Sequence, residues 1–92
     1  MTLLRWHKLP LPEREVRFAA PRRWRADFLW PRLIVEVEGG SFIGGRHTRG
    51  VGFESDCAKS NEAQLRGYRY LRVTPKHIDS GEAIAWIERA LA

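Results

Sequence analysis

Trp24-Arg25-Ala26-Asp27-Phe28-Leu29-Trp30-Pro31-Arg32-Leu33-Ile34-Val35-Glu36-Val37-Glu38 is the stretch on which the fold turns. Trp24, Ala26, Phe28 and Trp30 alternate with Arg25, Asp27 and Leu29, as in a strand with one aromatic face and one mostly charged face. Leu33, Val35 and Val37 alternate with Ile34, Glu36 and Glu38 in the same way. Pro31-Arg32 reads as a two-residue connection, although Pro-Arg is not a favoured hairpin turn. Centring the turn between these two residues sets Trp30 opposite Leu33 and Asp27 opposite Glu36. Directly opposed Cβ atoms lie about 4.5–5.5 Å apart. Glu38, two residues on, shares the face of Glu36. Three carboxylates would then converge on one patch.

Like charges opposite one another destabilise a sheet, and a cation removes the conflict. Magnesium takes oxygen ligands, commonly one or two carboxylates with waters and phosphate oxygens, and such a metal can activate water and polarise a phosphoryl group. The alternative is that Glu38 points to solvent and Asp27 pairs with Arg25 or Arg72. A register slipped by one residue would also put the carboxylates on opposite faces.

Outward from the hairpin, Leu3, Leu4, Trp6 and Leu9 suggest a short opening helix that ends before Pro10 and Pro12. Residues 15–19 alternate like a strand, with Val16 and Phe18 on one face. Residues 39–52 hold six glycines in fourteen positions and lack the Gly-Lys-Ser/Thr of a phosphate-binding P-loop. Residues 39–53 therefore read as a flexible loop. Ser55 can cap a helix to about Arg66, with Gly67 in the αL position that ends it. Residues 68–73 are rich in strand formers. Asp79 or Ser80 can cap a last helix, Glu82 completing a capping box from Asp79, with Ile84, Ile87 and Leu91 on one face. The expected order is α-β-β-β-α-β-α, in one domain of 92 residues.

Hydrophobic residues make up 43% and charged residues 29%, with no apolar run long enough for a membrane span. The first residues lack a signal-peptide layout, and a cytoplasmic protein is the simplest expectation. Cys57, the single cysteine, excludes an intramolecular disulfide and a multi-cysteine zinc site; it reads as a partly buried helix residue. Net charge is +5, and arginine supplies 13 of 16 basic side chains. Arginine's planar fork matches phosphate, so this balance suits nucleic acid; a GC-rich genome would also favour arginine. Arg14, Arg17, Arg22, Arg23 and Arg25 crowd the strands before the hairpin, and some would line a groove for a phosphate backbone. Trp24 and Trp30 read as core. On the next helix Lys59 could reach a phosphate or an attacking water, Gln64 could orient water, and Asp56 suits the first turn. His47, between Arg46 and Arg49, could act as a general acid or contact phosphate. His7 and His77 have no evident partner.

The run Trp24 to Phe28, then Ile34-Val35-Glu36-Val37-Glu38-Gly39-Gly40, resembles the PD-(D/E)XK nuclease superfamily. It is most similar to the branch related to very-short-patch-repair (Vsr) endonucleases. Gly45-Arg46-His47-Thr48-Arg49-Gly50, Asp56, Lys59 and Gly67-Tyr68-Arg69-Tyr70-Leu71-Arg72-Val73-Thr74 extend the likeness over roughly residues 9–91. The resemblance implies a restriction-endonuclease-like α/β core with a four-stranded mixed sheet and Mg²⁺-dependent cleavage of DNA phosphodiester bonds, Mn²⁺ substituting. It carries the metal-binding carboxylates onto Asp27 and Glu36, with Glu38 as a third ligand or acting through water. The superfamily's lysine position is Glu38 here, which shifts the basic role to Lys59 or Gln64. Glu13 or Glu15 could replace a glutamate of the first helix. Arg23, Arg25, Arg46 and Arg49 would hold DNA, and Arg46, His47 and Arg49 would close over it. A homodimer would suit two cuts in a duplex. The rival readings are a catalytically inactive nucleic-acid-binding module of the same fold, and a structural component of a larger complex.

Overall fold

The computed structural model describes residues 9–38 and 51–92. Four strands, β1 (Glu13–Arg17), β2 (Arg25–Trp30), β3 (Leu33–Val37) and β4 (Arg69–Val73), form one mixed sheet in the order β1-β2-β3-β4. β1–β2 and β2–β3 are antiparallel, and β3–β4 is parallel. The parallel step needs a crossover, and α1 (Val51–Leu65) lies in that connection. α2 (Pro75–Ser80) and α3 (Glu82–Leu91) follow β4.

The two sides of the sheet have separate cores. Trp30, Leu33, Val35 and Val73 pack with Ala83 and Ile87 of α3 on one side. Ala26 and Ile34 pack with Ala63 of α1 on the other, joined by Phe18, Leu29, Tyr68 and Tyr70. β3 is thus covered on both faces, which explains its run of apolar residues. Trp30 is 1% exposed, and its indole N–H donates to the Pro10 carbonyl at 2.7 Å. α3 is strongly amphipathic, whereas α1 is barely so and, among the described residues, buries only Ala63 fully.

The expected hairpin register is present: Trp30 pairs with Leu33, Leu29 with Ile34 and Phe28 with Val35. The turn places Arg32 at φ 67° after Pro31. Proline followed by a residue of positive φ is the pattern of a type II turn, which ordinarily takes glycine or asparagine second.

Several expectations need correction. β1 lies two residues earlier than residues 15–19. The expected opening helix falls largely on residues 1–8, outside the described residues; residues 9–12 are not helical. α1 starts at Val51, so Gly52 and Phe53 belong to it rather than to a loop over 39–53, and Ser55 is an interior residue, not a cap. Asp56 consequently lies beyond the first turn, whose acidic residue is Glu54. Cys57 is exposed. α2 has its own start signal: Thr74 accepts from the His77 amide, Pro75 follows, and His77 Nδ1 accepts from the Thr74 amide at 3.0 Å. The last helix is preceded by Gly81 at φ 89° rather than by an Asp79 box, with Ser80 Oγ accepting from the Glu82 amide at 3.2 Å.

Candidate active site

The alternation of β2 fails at Asp27. Phe28 and Trp30 pack towards α3, but Ala26 packs towards α1, although a regular strand would keep all three on one face. Both ladders break at the same place. The β2–β3 pairing stops at Phe28–Val35, and the β1–β2 pairing skips Glu15 and Asp27. Glu15 holds φ 52°, a left-handed conformation uncommon for a residue with a side chain.

Side chains replace the missing backbone bonds. The Asp27 amide donates to Glu36 Oε2 at 2.8 Å, and the Val37 amide donates to Asp27 Oδ2 at 2.8 Å. Each carboxylate is therefore fixed by the neighbouring strand's backbone, and the two acids sit side by side. Glu36 is only 7% exposed. Its Oε1 accepts from the Lys59 ammonium, delivered by α1. Burial first, then the nearby Glu36 charge, push the Tyr70 hydroxyl well above its ordinary pKa. Tyr70 pairs with Ile34 across β3–β4, and Arg72 pairs with Glu36, so period-two alternation brings Tyr70 and Arg72 to the α1 side beside Glu36.

Glu38 takes a different partner. Arg72 Nε donates to its Oε2 at 3.2 Å, and the Glu38 amide donates to Val73 O at 2.7 Å. The bond to Glu38 holds the Arg72 guanidinium more firmly protonated, with the charge of Asp56 adding to it. Arg72 therefore binds Glu38 rather than Asp27. The expected convergence of three acids resolves into two: among the described residues, no group of three His, Cys, Asp or Glu side chains is placed to hold a metal.

A cleft of about 260 Å³ opens against Asp27, lined also by Arg14, Glu15, Phe28 and Val37. The Arg14 guanidinium rests over the Phe28 ring, 5.4 Å from its centroid. Arg14 thus shares this cleft with Asp27, whereas Arg23 and Arg25 are exposed before and at the start of β2. Gln64 donates to Ser60 Oγ at 3.2 Å on the exposed side of α1, so of the two basic or polar helix candidates only Lys59 meets Glu36. Arg46, His47 and Arg49 lie outside the described residues. Sequence spacing alone does not single out Tyr70; strand parity relative to Glu36 is the signal that points to it.

Two carboxylates meet what magnesium asks of a protein when substrate and water supply the rest. Both keep acceptor capacity, since each carboxylate has about four lone-pair sites. Asp27 and Glu36 therefore fit a divalent cation, with the Lys59 ammonium as the existing countercharge.

No family model matches the chain, and neither does any curated protein or any solved structure. Among the described residues, no helix is long and apolar enough to cross a membrane.

Proposed function

We propose that this chain is a Mg²⁺-dependent DNA endonuclease with a restriction-endonuclease-like core of the PD-(D/E)XK type. The observation that carries the reading is the break at Asp27. A local departure from sheet regularity sets Asp27 and a largely buried Glu36 together, and α1 brings Lys59 onto Glu36. Buried acids cost stability unless they are paired, and strained, rule-breaking positions concentrate at functional sites.

Asp27 and Glu36 would hold the cation, which would supply Lewis-acid polarisation of the phosphodiester and a more acidic bound water. Lys59 would stabilise charge that develops on the scissile phosphate. The Asp27 amide holds the Glu36 carboxylate in place. Arg14, at the mouth of the cleft, would grip a phosphate oxygen. Glu38 acts through Arg72 in this reading, as a positioning residue and not as a direct ligand.

Incubating labelled linear, nicked, mismatched and four-way-branched DNA with Mg²⁺ or Mn²⁺ tests the proposal. Cleavage should fall at least about a hundredfold in Asp27→Asn and in Glu36→Gln. Metal-independent cutting, or equal cutting by the variants, would overturn it. One observation favours a second reading: Lys59 already neutralises Glu36 without a metal, as a nucleic-acid-binding module of this fold would require. DNA binding unchanged in all three proteins, with no cleavage, would select that reading.

A further inference from the structure

The topology gathers a second charged region at the end of the sheet opposite the carboxylates. Arg32 lies in the β2–β3 turn, Arg66 just past α1, Arg69 at the start of β4 and Arg89 near the end of α3. The Arg69 amide donates to the Arg32 carbonyl at 2.7 Å and ties the turn to β4. Two cavities of about 330 Å³ each open here, one lined by Arg32, Arg66, Gly67 and Tyr68, the other by Arg69 and Arg89 beside Trp86. Among the described residues no carboxylate lines either cavity.

The partners of these arginines are mostly neutral. Arg66 donates to Glu62 at 3.0 Å and to the Ala20 carbonyl at 3.1 Å, and Arg69 donates to the Ala90 carbonyl at 3.1 Å. Arg32 and Arg89 have no side-chain partner among the described residues. The dipoles of α1 and α3 account for arginines near their C-terminal ends, but not for Arg32. Its φ of 67° is one that glycine or asparagine would take with less strain. The backbone gains nothing from arginine there, so the reason for it lies in the side chain.

We propose that this end of the sheet binds phosphates of the nucleic-acid backbone, with Arg32 as its central contact. Arg32 and Glu36 are four residue steps apart along the chain into β3, roughly 13 Å at ~3.3 Å each. That span is about four nucleotides at ~3.4 Å of axial rise. The surface would hold the same strand that the carboxylates meet and fix its register without reading its sequence. The proposal rests on the nucleic-acid part of the functional reading and not on cleavage.

The test is fluorescence anisotropy of a labelled DNA duplex in EDTA across a salt series, with parent, Arg32→Asn and Arg32→Asn/Arg89→Gln proteins. Asparagine keeps the turn conformation, and thermal melting checks that each variant is folded. Each lost contact should weaken binding roughly tenfold and flatten the slope of log affinity against log salt by about 0.9. Folded variants with parental affinity and slope would overturn the proposal. So would a parent that binds no DNA, including one stabilised against heat by inorganic phosphate in an Arg32-dependent way, which would make the surface a free-anion site. Because metal is absent, a failure of the cleavage reading leaves the binding result standing.

Discussion

Replacing Lys59 by methionine removes the countercharge of Glu36 while keeping an unbranched side chain of similar length. Removing one partner of a fully buried ion pair costs about 3–5 kcal/mol, because the other charge is left buried. Here the Lys59 side chain is 16% exposed, and the Asp27 amide still donates to Glu36. That donor and the partial exposure lower the expected cost to about 2–3 kcal/mol. In a domain of this size the melting temperature should fall by roughly 8–24 °C. Thermal and urea unfolding in EDTA measure it. Magnesium then separates structure from function. The ammonium competes with a cation for Glu36, so Lys59→Met should gain more from Mg²⁺ than the parent, about 2.7 kcal/mol at a hundred times the dissociation constant. A cost under about 0.5 kcal/mol would give the pair no more than the worth of a surface ion pair and refute the burial argument. Stabilisation by Mg²⁺ in neither protein would refute the assignment of Asp27 and Glu36 as ligands.

Tyr70 ionises late, so above about pH 10 the unfolded chain loses this proton first and the folded state loses stability as pH rises; Tyr70→Phe should abolish that decline and the late component of tyrosinate absorbance. Arg32→Asn should raise stability by about 0.5–1 kcal/mol in urea unfolding, since asparagine tolerates the left-handed turn position better than arginine. Trp30→Ala should cost about 3–5 kcal/mol, because a side chain 1% exposed leaves a cavity and the Pro10 carbonyl loses its donor; near-native melting would contradict the placement of Trp30 in the core.

The strands around the hairpin were legible because period-two patterning is strong there. Register followed from the turn, and Trp30–Leu33 to Phe28–Val35 stand as the spacing predicts. The helix after the glycine-rich segment was legible as an element but not in its start, since a barely amphipathic α1 offers no periodic edge to read. α2 escaped because six residues are too few for periodicity; only Thr74, Pro75 and His77 mark it. Sharing a face with Glu36 does not decide whether Glu38 turns to the other acids or to Arg72. Arg72 faces that same side from β4, and no pattern local to the hairpin reveals β4's position.

The place where the sequence pattern misleads most is Asp27. Strict alternation puts Ala26 with Phe28 and Trp30, and the fold separates them. In a regular ladder the Asp27 amide would face Glu15 of β1 and the Val37 amide would pair with Ala26 of β2, because hydrogen-bonded and non-hydrogen-bonded pairs alternate from Trp30–Leu33. The break instead turns that amide towards the Glu36 carboxylate and the Val37 amide towards Asp27. Two ladder bonds are exchanged for two charge-assisted ones, which are shorter and stronger than neutral bonds. That exchange explains how a sheet tolerates adjacent acids: each is solvated by backbone, and Lys59 supplies charge. It also orders the consequences of mutation. Asn at 27 keeps the acceptor for the Val37 amide, and Gln at 36 keeps one for the Asp27 amide, so both variants should fold while losing charge. Alanine at either position would orphan a backbone amide as well, at about 1–3 kcal/mol. The amide variants, rather than alanine, are therefore the ones in which a loss of cleavage reports on the site.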